Sequence, residues 1–152
     1  MYRFARATFL AGVIAAGLAP MPAFADVLIT EAEAKYPNAA NFTVRGAMKG
    51  PGIQHIQQIS LAADAGVQSP LPFRIQFIPR SDAPVDLASV RVSYLKMPMI
   101  DLTNRIKKHL SAAGIDMTQA EVPAGVHTLL IQVKDTQGRE SATTVTLTVA
   151  PK

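Results

Sequence analysis

The chain has no cysteine and no tryptophan among its 152 residues. Without cysteine there are no disulfides, no thiol nucleophile, no thiolate metal site and no lipid anchor of the kind attached to a processed cysteine. A packed apolar core must therefore hold the fold without covalent staples. Several enzyme signatures are absent as well: there is no G-x-S-x-G elbow, no H-E-x-x-H pair and no phosphate-binding glycine loop. No internal repeat and no low-complexity tract interrupts the sequence, and no apolar run is long enough to span a bilayer.

The longest apolar run, FLAGVIAAGLA, follows Arg3 and Arg6 and precedes PMPAFADV, with Ala23 and Ala25 at A-x-A spacing. A short basic start, a short apolar stretch and small residues before a cut are the parts of a secretory signal peptide. Residues 1–25 are thus expected to be the signal, with the mature chain starting at Asp26, no stable membrane anchor after cleavage, and a periplasmic or secreted location. The signal holds two of the 15 Lys and Arg residues and none of the 11 Asp and Glu, so the formal charge falls from +4 to +2 on its removal. A charge this small, in that compartment, argues against a nucleic-acid partner. The remaining length suits one domain, divided into an N-terminal extension over 26–50 and a folded unit over 51–152. Asn41-Phe42-Thr43 matches a glycosylation sequon, which matters only in a eukaryotic secretory route.

Alternation of apolar and polar residues governs the rest. In VHTLLIQVKDTQGRESATTVTLTV, Leu129, Ile131 and Val133 share one face and Thr128, Gln132 and Lys134 the other, with Leu130 as the exception. Asp135-Thr136-Gln137-Gly138 supplies turn residues, and Val145, Leu147 and Val149 return opposite Thr144, Thr146 and Thr148. This hairpin reads as a wall whose outer face carries no chemistry. Val90, Val92 and Tyr94 mark another half-buried strand, and Phe73, Ile75 and Phe77 a fourth; prolines at 70, 72 and 79 place the latter towards a sheet edge or shorten its ladder. GIQHIQQISLAAD reads as an earlier strand of uncertain register, and NFTVRGAM as a further candidate.

Two segments read as helical. TEAEAKYPNA forms a short helix, with Glu31 and Lys35 four apart and Pro37 as its stop. DLTNRIKKHLSAAG repeats Leu102, Ile106 and Leu110 every four residues, with Asp101 as a cap and Gly114 as a terminator, which predicts one helix of roughly three turns.

Six or seven strands with one inserted α-helix give a mainly β fold, an antiparallel two-sheet β-sandwich. The C-terminal pattern AGVHTLLIQVKDTQGRESATTVTLTV resembles the final hairpin of bacterial immunoglobulin-like domains, firmly over about 30 residues and loosely from Pro51 onward. The chain departs from antibody-type domains in lacking both cysteines and the core tryptophan. The resemblance implies a binding or spacing module and no catalytic residue, because the fold hosts many unrelated functions.

Candidate chemistry is sparse. Asp135 is accounted for by its turn, Asp101 by its cap, and Glu31 and Glu33 by an exposed segment, which leaves no convergent carboxylate pair for acid–base catalysis. His55 and His127 stand alone in their strands; His127 shares the inward parity and is expected to hydrogen-bond a loop at the end of the sheet. Arg105, Lys107, Lys108 and His109 crowd the second half of the predicted helix, where the helix dipole favours cations. The expectation is a non-enzymatic exported interaction module with no cofactor. Its predicted contact surface is this basic helix (Arg105, Lys107, Lys108) with the loop from Lys96 to Asp101, and its predicted partner is an envelope protein or an anionic envelope polymer. The alternative is a periplasmic copper-binding protein using Met97, Met99 and His109, since thioethers are soft ligands that favour Cu(I). Against that stands packing of both methionines between helix and sheet.

Overall fold

A computed structural model describes residues 25–40, 42, 44, 49–55 and 66–152. The expected signal peptide, most of NFTVRGAM with the sequon, and the second half of GIQHIQQISLAAD lie outside the described residues. The chain is mainly β, with two sheets, an arrangement compatible with a β-sandwich. The strands are β1 (Asp26–Val27), β2 (Gly52–His55), β3 (Leu71–Ile78), β4 (Val85–Tyr94), β5 (Ile100–Asp101), β6 (Leu110–Ser111), β7 (Gly114–Glu121), β8 (Gly125–Asp135) and β9 (Glu140–Val149). One sheet runs β1-β7-β3-β2, with β6 also on β7; the other runs β5-β4-β8-β9.

The inward faces are those set by alternation. Leu129, Ile131, Val133, Val145, Leu147 and Val149 from one sheet and Phe73, Ile75, Phe77, Ile115 and Met117 from the other join one core cluster. Leu130, on the opposite face of β8, is buried as well. At the hairpin turn Asp135 Oδ1 accepts from the backbone N–H of Gln137 (2.9 Å) and Arg139 (3.0 Å), and its Oδ2 accepts from Arg139 Nε (2.6 Å). Gly138 takes a φ of 75°. Here a carboxylate satisfies turn donors while glycine adopts the left-handed conformation.

Two expectations change. Strand β3 is interior, paired with both β2 and β7; Pro72 is accommodated because the β3–β7 register shifts between Leu71 and Phe73, where the missing N–H breaks no regular ladder. The predicted three-turn helix is one α turn, α2 (Thr103–Ile106), followed by a 3-10 turn over Lys107–His109, after which Leu110 and Ser111 pair with β7. A short isolated helix gains little from its own hydrogen bonds, so the β7 edge competes successfully for the chain after one turn. Gly114 opens β7 rather than ending a helix. The described start of the 26–50 stretch meets the body of the fold. Leu28 and Ile29 are fully buried in the core, and β1 pairs in parallel with β7.

The helix expected before Pro37 is α1 (Glu31–Ala34), fastened by a capping box in which Thr30 Oγ1 accepts from Glu33 N–H and Glu33 Oε2 accepts from Thr30 N–H (2.9 Å).

Candidate functional site

The cations singled out by sequence do not converge on one open face. Arg105 makes a bidentate pair with Glu33, Nη1 to Oε2 at 2.8 Å and Nη2 to Oε1 at 2.7 Å, and Nη1 also donates to Leu28 O at 2.8 Å. The guanidinium pulls the Glu33 carboxyl down to about 2, against the opposing effect of burial. Lys108 and His109 both bind Asp26, His109 Nε2 to Oδ2 at 2.7 Å, and hydrogen bonding by Lys108 is the main cause of the lowered Asp26 pKa. Lys107 is exposed; its charge adds to the lowering of the Asp101 pKa, which hydrogen bonding by Thr103 chiefly causes.

Lys96 is buried, only 6% exposed. Its Nζ donates to Ala34 O (2.9 Å) and Asn38 Oδ1 (2.7 Å) and stands 5.1 Å from the centre of the Tyr94 ring. Two oxygen acceptors and an aromatic face together replace much of the ammonium's hydration. Arg105, Lys108, His109 and Lys96 thus play the same structural part, since each fastens the segment 26–38 to the body of the fold. The sequence could not reveal this, because the partners lie 58 to 83 positions away.

What remains open is the loop between β4 and β5. Met97 is 62% exposed and Met99 50% exposed, whereas Met117 is fully buried. The expected packing of the two methionines between helix and sheet is not what the structure shows: both side chains are exposed. The loop is nonetheless held on both sides. Met97 N–H donates to Pro37 O (2.9 Å), Asn38 and Lys96 form a β-bridge, and Tyr94 pairs with Ile100 and Ser93 with Asp101. Asp101 Oδ1 accepts from Thr103 N–H (2.8 Å), and the buried Thr103 Oγ1 accepts from Val92 N–H (3.1 Å), locking the start of α2 onto β4. Tyr36, next to the Pro37 that accepts from Met97 N–H, is exposed as well.

Beneath the loop lies a network that sequence reasoning reached only in part. His127 is buried, as its parity predicts, and its Nε2 donates to Pro123 O at 2.8 Å. A carbonyl on Nε2 fixes the proton there, so Nδ1 accepts from Tyr94 OH at 2.7 Å. Burial, together with the nearby Lys96 charge, lowers the His127 pKa, while burial raises Tyr94 to about 12. The Tyr94 hydroxyl and both His127 ring nitrogens thus have partners within the fold.

As candidate metal ligands, Met97 and Met99 are accessible, but His109 is committed through Nε2 to Asp26. Among the described residues no group of three or more His, Asp or Glu side chains is placed to hold a metal ion. No protein-family model, no curated protein and no solved structure matches the chain.

Proposed function

We propose that the protein is an exported, non-enzymatic interaction module of immunoglobulin-like β-sandwich type, contacting an envelope protein through the loop Lys96–Asp101. The observation that carries this reading is the pair of exposed methionines one residue apart on a firmly held backbone. Scattered apolar side chains on a surface are ordinary, whereas clustered ones on an anchored loop suit recognition. Methionine adapts its shape to a partner. A protein partner fits better than an anionic polymer, because Arg105 and Lys108 are already paired with carboxylates. The same commitment of Glu33, Asp26, Asp101 and Asp135 to local bonds supports a non-enzymatic role.

The test is photo-crosslinking in the cell of origin. A photoreactive residue at Met97 is expected to give one dominant adduct, absent when the probe stands at Thr146 on the outer sheet face, and reduced by Met99→Asp. Equal adducts from both positions would overturn the proposal.

Copper binding has one supporting observation, the two accessible thioethers. Titration with Cu(I) against a competing chelator decides it: absence of binding at micromolar metal removes the reading, and binding retained in the Met97→Leu, Met99→Leu double variant removes these residues as ligands.

A further inference from the structure

The fold treats its described methionines in opposite ways. Met117 is fully buried on β7, paired with Phe73 of β3, whereas Met97 and Met99 project into solvent from the loop between β4 and β5. The backbone on either side of these two is fixed without help from their sulfur atoms: Met97 N–H donates to Pro37 O, Asn38 bridges to Lys96, and Tyr94 pairs with Ile100. The chain has no cysteine, so methionine supplies its only sulfur.

A thioether is a soft, polarisable nucleophile with no proton to lose, so access to the sulfur governs how readily it is oxidised. The sulfoxide that forms is polar and chiral where the thioether was apolar and flexible. Within a core that change disrupts packing. On a loop whose backbone is held independently of the sulfur it alters only the surface offered to a partner.

We propose that Met97 and Met99 form a reversible oxidation site for peroxides, and that their conversion to sulfoxides releases the protein partner of this loop; the release rests on the contact role proposed for Lys96–Asp101. In the forward step the sulfur lone pair attacks one oxygen of hydrogen peroxide. An S–O bond forms and the O–O bond breaks. The departing hydroxide takes the proton from the new S–OH group and leaves as water, so sulfur is oxidised by two electrons and the peroxide is reduced by two. A methionine sulfoxide reductase reverses the step: two of its thiols become a disulfide and the oxygen leaves as water. Exposure of the loop opens both sulfur atoms to the oxidant and to the reductase, and burial withholds Met117 from each.

The experiment treats the purified protein with hydrogen peroxide and follows each methionine by peptide mass spectrometry. Met97 and Met99 are expected to gain oxygen at least about tenfold faster than Met117, which reacts only when the fold opens. The melting temperature should hold while Met117 remains unmodified. Similar rates at all three methionines would overturn the oxidation site. For the release, protein carrying the photoreactive residue at Met97 and oxidised at Met99 is expected to crosslink about fivefold less partner in an envelope fraction than its unoxidised form. Treatment with methionine sulfoxide reductase should restore the adduct, and Met99→Leu should give an adduct that peroxide does not diminish. Undiminished crosslinking after oxidation, or the same loss in Met99→Leu, would overturn the release. Absence of any adduct before oxidation would remove the contact role and the release with it, whereas the oxidation rates judge the modification site alone.

Discussion

Protonating His127 would place a second N–H on an imidazole whose Nδ1 already accepts from Tyr94 OH, in a buried site that also contains the Lys96 ammonium. Its folded pKa therefore lies below the unfolded value, and the unfolded chain takes the proton first as pH falls. The stability this residue contributes is full above about pH 6.5 and is lost as pH falls through the lower folded value. Glu33 acts with the same sign in a separate window: its contribution is full above the ordinary 4.5 and is lost as pH falls towards about 2. Denaturant midpoints measured between about pH 7.5 and 5.5 should fall with pH, and His127→Gln should flatten that slope while leaving the loss below about pH 4.5 in place. An unchanged slope in the variant would assign the upper transition to another group.

At the scale of elements, glycine at two positions separates close packing from turn geometry. Gly114 opens β7 with φ of 141°, and a Cβ built there would stand 1.8 Å from Ile75 O of β3. Backbone strain and collision act together, so Gly114→Ala should cost about 3 kcal/mol or more. Gly138 has φ of 75° but nothing within 4 Å of its Cβ direction, so Gly138→Ala carries the left-handed penalty alone, about 1 kcal/mol. Equilibrium denaturation of both variants checks the contrast; similar losses would mean that β3 and β7 separate easily at Gly114.

For the whole molecule, the segment 26–38 is tied down by Lys96, Arg105, Lys108 and His109 and contributes Leu28 and Ile29 to the common core. Its removal from the core should therefore destabilise the molecule as much as a change in the central hairpin. Leu28→Ala and Ile131→Ala should each cost about 2–5 kcal/mol, as large-to-small changes in a packed core do. Thr146→Ala, on an exposed face, should change stability by less than about 1 kcal/mol. Urea denaturation compares the three. A Leu28→Ala loss as small as that of Thr146→Ala would show that residues 26–38 pack only loosely on an otherwise self-sufficient body.

Local pattern determined the strands, their inward faces and the hairpin turn, because a period of two and a handful of turn residues act over neighbours in sequence. Val90, Val92 and Tyr94, and Phe73, Ile75 and Phe77, are buried as that period requires. The parity of His127 likewise announced a buried histidine bonded to a loop, though not its bond to Tyr94. The helix length, the interior place of β3 and the fate of the cations were decided by tertiary structure. A short amphipathic run yields to a nearby sheet edge, a proline survives inside a sheet where the register shifts, and a charge is free or committed according to which distant carboxylate folds against it. The candidate contact surface followed the same rule: whether Met97 and Met99 stand exposed depends on which distant parts of the fold come to lie against their loop, a fact written in no local stretch of the chain.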